Sequence, residues 1–208
     1  MKILLAVPTY ENVATECFEG LWAMADYTRL HCPDIELSKP LFVKGHGVQR
    51  ARNDIAKAAL SGGYAKLFSV DSDVVVPENA IELLTQNHGK MDIVSGVYQN
   101  RYKGRRGYST LYVNMGDKRQ GDNGNILSME KIDELPPGRI DLTCCGGGCI
   151  LIDTSVFRAI EYPYYYWQEK ENWECSEDCY FCFKAAEAGA KIKGDLRVRC
   201  KHKMSELI

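Results

Sequence analysis

The stretch KLFSVDSDVVVPENA, residues 66–80, decides how the chain is read. Leu67 to Val70 are mostly apolar, as in a strand covered on both faces. The run ends in Asp71 and Asp73, with one serine between them, and three valines and Pro77 follow. Two carboxylates so close repel each other and resist desolvation, so a positive charge is expected to offset them. The plainer reading is a turn in which the aspartates bond their own backbone. The other is a divalent-cation site, since Mg²⁺ or Mn²⁺ takes one or two carboxylates and completes its shell with substrate phosphates. Position after a buried strand in an alternating βα chain favours the cation.

Outward from this stretch, strand and helix signals alternate. Residues 2–7 read as a strand broken by Pro8, Thr9 and Tyr10, and 12–27 as a helix with Phe18, Leu21, Trp22 and Met24 on one side. A strand at 41–43, a helix at 48–60 stopped by Gly62 and Gly63, and a strand at 65–70 come next. Pro77 opens a helix to residue 86, and 92–97 is a fourth strand. This order implies a parallel sheet of right-handed βαβ units, with ligands outside the carboxyl ends of the strands. Asp71 and Asp73 lie at such an end, as does the turn of Pro8, Thr9, Tyr10 and Glu11.

The pattern fades over 99–137, a polar excursion expected to be partly mobile, with one short strand at 110–113. Strand character returns at 140–143 and 149–152, on either side of Gly146, Gly147 and Gly148. A short helix from Thr154, an aromatic loop over 161–174, a helix from an N-cap at Ser176 to Gly189, and a short strand from Lys191 complete the order. The expected fold is α/β: a mostly parallel sheet flanked by helices, in one domain.

The 208 residues are 45% apolar and 26% charged, as in an ordinary globular chain, and the net charge of −2 argues against a general nucleic-acid binder. Basic residues cluster only locally, at 101–106 and 197–203. The apolar run before Pro8 is too short for a signal peptide, and no stretch approaches the ~20 apolar residues of a membrane span. Nine cysteines without a secretion signal are expected as free thiols in a reducing compartment, hence a cytoplasmic location. Cys179 and Cys182 have CxxC spacing, but within a helix and without a second CxxC, so buried thiols are preferred over zinc.

Three further features have a bland and a chemical reading. Glu177 and Asp178 open a helix, where acids complement the macrodipole or one of them serves as a general base. The three glycines are either a flexible connection or a place where backbone approaches a ligand. His202 alone reads as a solvated histidine.

Together the motifs VPTYE (7–11), ARN (51–53), DSD (71–73), GGG (146–148), ED (177–178) and AAEAGAKI (185–192) make a more specific pattern. In this order they resemble the GT-A glycosyltransferases, and the large inverting nucleotide-sugar transferase family most of all. The resemblance spans 2–202. It implies that 1–98 is a nucleotide-binding half and 138–208 an acceptor and catalytic half. It implies that Pro8, Thr9, Tyr10 and Glu11 form the first nucleotide loop, with Arg52 and Asn53 near the nucleotide. Asp71 would lie by the ribose and metal, Asp73 would ligate Mn²⁺ or Mg²⁺, and His202 would be a further ligand. Gly146, Gly147 and Gly148 would lie by the donor sugar, and Asp178 would be the base with Glu177 beside it. A nucleoside-diphosphate sugar, with a UDP-sugar favoured, and a hydroxyl acceptor are the implied partners. The segment LFVKGHG (41–47) lacks the acidic residue that often contacts the base, and no Gln-x-x-Arg-Trp follows the ED, which argues against a processive synthase. The alternatives are a retaining GT-A transferase, a phosphatase of the haloacid-dehalogenase type with Asp71 in its Asp-x-Asp motif, and a non-catalytic nucleotide-sugar-binding module.

Overall fold

The computed structural model describes residues 1–44, 47–100, 108–114, 127–131, 138–170 and 173–203. The first half runs β1 (Lys2–Thr9), α1 (Thr15–His31), β2 (Glu36–Leu37), β3 (Leu41–Lys44), α2 (Val48–Ser61), β4 (Lys66–Val70), β5 (Val74–Val75), α3 (Ala80–Thr85) and β6 (Asp92–Val97). Then come β7 (Tyr108–Asn114), β8 (Leu127–Lys131), β9 (Arg139–Asp141), β10 (Cys144–Cys145), β11 (Cys149–Asp153) and α4 (Ser155–Ala159). The last elements are β12 (Gln168–Lys170), β13 (Trp173–Cys175), α5 (Glu177–Glu187), β14 (Lys191–Arg199) and β15 (Lys201–His202).

The main sheet has the order β2-β1-β4-β11-β6-β14-β9, with β3 also paired to β1. Strands β1 to β4, β6 and β14 pair in parallel where they meet, and β11 and β9 run antiparallel to their neighbours. The alternation expected over 1–98 is present. The antiparallel strand β11 from the second half inserts between β4 and β6. Both halves of the chain therefore share one sheet.

Period-two alternation distributes the core. Leu4 and Ala6 face a layer with Ile55, Ala59, Phe157 and Phe181, drawn from α2, α4 and α5. Ile3, Leu5 and Val7 face the opposite layer with Leu21, Met24, Ile81 and Leu84, drawn from α1 and α3. Burying both faces of β1 explains its unbroken apolar run.

Several expectations shift. Phe18 and Trp22 do not join Leu21 and Met24 in the core. They stay exposed and line a groove with Phe42, because the buried stripe of α1 is narrower than the apolar face read from its sequence. Pro77 precedes α3 rather than sitting in its first turn: the Ala80 N–H bonds the Pro77 carbonyl and closes a turn first. The last strand is much longer than expected, running Lys191–Arg199. β8 and the β12–β13 hairpin had no clear periodicity to reveal them. The basic run 101–106 and its expected mobility lie outside the described residues. No helix among the described residues is long and apolar enough to cross a membrane.

Candidate active site

A cleft of about 480 Å³ opens at the carboxyl ends of β1 and β4. Pro8, Thr9 and Tyr10 line it from β1, and Asp71, Ser72 and Asp73 from the turn after β4. Arg52 reaches it from α2, Gly146 and Gly147 from the turn before β11, Ser176, Glu177 and Asp178 from the start of α5, and His202 from β15. Strand pairing explains the convergence. Because β11 runs antiparallel to β4 with Cys149 opposite Val70, the glycine turn lies beside the aspartate turn. The Asp71 N–H donates to the Gly148 carbonyl at 3.0 Å.

The two aspartates have different partners, and the expected positive charge is found at Asp71. Arg52 is almost fully buried, and its Nη2 donates to both oxygens of Asp71 at 2.9 and 3.0 Å. Its Nη1 donates to Glu177 Oε1, also buried. Burial opposes the Arg52 charge, yet the carboxylates of Asp71, Glu177 and Asp178 hold its pKa above the ordinary value. Burial pushes the Glu177 carboxyl up against the pull of Arg52, and Asp178 adds to the rise.

Asp73 faces the other way. The short ladder of β5 with β15 sets His202 opposite Val74, the residue after Asp73. His202 Nε2 lies 3.3 Å from Asp73 Oδ2. Its Nδ1 is 2.8 Å from the Gln99 carbonyl, so in the neutral ring the proton sits on Nδ1 and Nε2 turns its lone pair, the one that can ligate a metal, towards Asp73. A backbone carbonyl that fixes the tautomer from behind is the usual support of a metal-binding histidine. The Tyr98 ring packs edge-on against the imidazole, with centroids 5.5 Å apart.

Among the described residues no three His, Cys, Asp or Glu side chains converge into a ready metal shell. Asp73 and His202 nonetheless fit Mn²⁺ or Mg²⁺ chemically: a carboxylate oxygen and an imidazole nitrogen leave room for phosphate and water oxygens. Asp71, assigned to the metal by the resemblance, has both oxygens on Arg52.

Asp178 is held from one side and open on the other. Its Oδ1 accepts from the Cys179 N–H at 2.9 Å and from the Ser176 hydroxyl, while Oδ2 accepts a longer bond of 3.2 Å from the Gly147 N–H. Ser176 thus occupies the expected N-cap position, but its hydroxyl goes to Asp178 and makes no cap bond. The glycines are explained by crowding against protein. A Cβ on Gly147 would come 2.5 Å from Arg52 Cζ, and one on Gly146 or Gly148 would strike Tyr98. Tyr98 is a site residue that the sequence reading missed: its buried hydroxyl accepts from the Gly148 N–H at 2.7 Å. Burial, then Asp71 and Asp178, push its pKa well up, so it stays a neutral phenol. Its only sequence signal is an aromatic directly after the apolar run of β6.

Not every expected residue reaches the cleft. Thr9 is there, its hydroxyl donating to the Asn12 carbonyl at 2.9 Å, but Glu11 is exposed and does not line the cleft. Asn53 is buried behind the site. Its side chain bonds the backbone of Gln49, Tyr164 and Tyr165, which anchors the aromatic loop to α2. From that loop Trp167 reaches the cleft.

No family model matches the sequence, and no curated protein does. Solved structures do match in fold. A197 from STIV superposes with a TM-score of 0.60 at 17% identity, over 99% of this chain and 87% of that one. GalNAc-T7, solved with UDP, GalNAc and Mn²⁺, gives 0.60 at 11% identity over 99% of this chain. S. aureus TarS 1–349 in complex with UDP-GlcNAc gives 0.53 at 16% identity, again over 99% of this chain. The chain has a GT-A fold. It spans 44% of the GalNAc-T7 chain and 60% of the TarS chain.

Proposed function

We propose that this GT-A chain is a metal-dependent glycosyltransferase that moves a sugar from a nucleoside-diphosphate sugar to an acceptor hydroxyl, with inversion at the anomeric carbon. The observation that carries the reading is the Asp73–His202 pair, 3.3 Å apart and fixed from behind by Gln99, in the cleft that Asp178 also lines. UDP is the favoured nucleotide, since GalNAc-T7 and TarS were solved with UDP and UDP-GlcNAc.

Asp73 and His202 would hold Mn²⁺ or Mg²⁺, and when bound the cation supplies positive charge to the departing diphosphate. The turn at Pro8, Thr9 and Tyr10 would border the nucleotide across the cleft. Asp178 would take the proton from the acceptor hydroxyl at Oδ2, whose only bond among the described residues is the long one from Gly147. Ser176 and Cys179 keep the carboxylate oriented through Oδ1. Glu177 is the poorer base, since Arg52 occupies it and burial shields it. Its place is to hold Arg52 against Asp71. Glu11 and Asn53 drop out of the nucleotide-binding set, being respectively exposed and committed to the aromatic loop.

The phosphatase alternative needs Asp71 as a nucleophile, but both of its oxygens accept from Arg52. A retaining transferase remains the second reading, because its donor site would use the same cation pair. Titration calorimetry with UDP, with and without Mn²⁺, tests the proposal. Wild type is expected to bind UDP more tightly with Mn²⁺, and Asp73→Asn to lose about 10-fold or more of that gain. Equal Mn²⁺-dependent binding in both proteins would remove Asp73 from the site. Tight UDP-sugar binding with no turnover on any hydroxyl acceptor would favour the non-catalytic module.

A further inference from the structure

Behind the Asp178 wall of the cleft lie four cysteines that the proposed reaction does not use. Cys144 and Cys145 form β10, directly before the glycine turn, while Cys179 and Cys182 lie on α5, directly after Asp178. All nine cysteines are unbridged. Cys144 Sγ and Cys179 Sγ are 2.6 Å apart, about half an ångström beyond the ~2.05 Å of a covalent disulfide. The second pair, Cys145 and Cys182, is 3.9 Å apart and fully buried.

The geometry points to Cys144 and Cys179 as a reversible disulfide site, an oxidation-sensitive staple between the glycine turn and the helix turn that carries Asp178. Access within the pair is unequal: Cys179 is half-buried and Cys144 fully buried. An oxidant therefore meets Cys179 first. With hydrogen peroxide as the oxidant, the Cys179 sulfur attacks one peroxide oxygen, and the O–O bond breaks to give a sulfenic acid and one water. The Cys144 sulfur then attacks the Cys179 sulfur. The S–O bond breaks, and the hydroxide leaves with the Cys144 proton as a second water. Two thiols are oxidised and one peroxide is reduced. The contact with Cys179, and then burial, push the Cys144 thiol well up, so it stays protonated until its partner is oxidised. The new bond would bracket the existing contact between the Gly147 N–H and Asp178.

The test uses the full chain, reduced, then exposed to hydrogen peroxide and digested without reductant for mass mapping. A Cys144–Cys179 linked peptide, two hydrogens lighter than the free pair and released by dithiothreitol, is expected, with Cys145 and Cys182 still free. In Cys144→Ser a dimedone adduct should accumulate on Cys179. In Cys179→Ser neither the adduct nor the link should form, and Cys32→Ser should leave the link intact. Oxidation that maps first to Cys32 or to the Cys145–Cys182 pair would overturn the inference. So would a Cys179 that oxidises beyond the sulfenic acid in wild type without linking. These outcomes are independent of sugar transfer.

Discussion

Two buried ion networks in this protein have opposite make-up. In the cleft one guanidinium, Arg52, serves Asp71 and Glu177, with Asp178 close by. At the edge of the sheet one carboxylate, Asp195, serves two guanidiniums: Arg139 at 2.8 Å, and Arg197 at 2.7 and 2.9 Å. Arg139 also donates to the Leu83 and Leu84 carbonyls in the last turn of α3, where a cation suits the helix dipole. The titration shifts are opposite too. Burial raises Glu177 despite Arg52, whereas the arginines hold Asp195 below the usual range despite its burial. The edge network is saturated with cations and ties strand to helix. Among the described residues the cleft network sets one guanidinium, Arg52, against the carboxylates of Asp71, Glu177 and Asp178, and it borders a cavity. The cleft network sets its carboxylates beside the Asp73–His202 pair, and the edge network is scaffold.

The largest effect is expected at Asp178. Asp178→Asn keeps the size of the side chain and should leave UDP affinity within a few-fold, while kcat for transfer falls ~10²–10⁴-fold. Steady-state kinetics with an identified acceptor measures this, and an unchanged kcat would shift the base elsewhere or end the inverting reading. Next is Arg52→Ala, which strands two carboxylates and should cost about 3–5 kcal/mol in urea denaturation. Retention of full stability would mean that the cleft carboxylates do not depend on Arg52.

Asp195→Asn is expected to cost about 1.5–3 kcal/mol at neutral pH. The folded pKa of Asp195 is lowered, so its contribution is full above the unfolded value and is lost as pH falls through the folded one. The gap between variant and wild type should therefore close in acid, near and below pH ~4. Glu177 has the opposite sign: its raised pKa makes it cost stability as pH rises above the unfolded value near ~4.3. The smallest change in stability is expected for Asp73→Asn, whose side chain is a third exposed: within about 0.5 kcal/mol of wild type, even where the proposed cation affinity is lost. A large destabilisation there would make Asp73 scaffold as well.

Sequence and structure agree where the signal is local. The apolar run 67–70 ending in Asp71 and Asp73 marks a strand end because burial and charge change within two residues. Glu177 and Asp178 are legible as the opening of a helix. The pairing of these pieces is not legible. Arg52 and Glu177 are 125 residues apart, and nothing at either position announces the other. β14 is hidden for a related reason. Its charges at Lys193, Asp195, Arg197 and Arg199 look like a solvated tail, and Asp195 can be buried only because Arg139 arrives from another strand. Asn53, adjacent to a site residue, serves the aromatic loop instead, a role that depends on where that loop folds back.

The two-residue ladder of β5 with β15 has a consequence for the order of folding. His202 is held to a carbonyl 103 residues earlier, at Gln99, and the Lys203 N–H bonds the Asp73 carbonyl at 2.7 Å. Contacts of such long sequence separation carry a large loop-closure cost and form once the sheet has already brought their ends together. The sheet through β14 needs none of them. On this ordering Arg52 can clamp Asp71 before Asp73 meets His202, so the pair proposed to hold the cation would be the last part of the cleft to be completed.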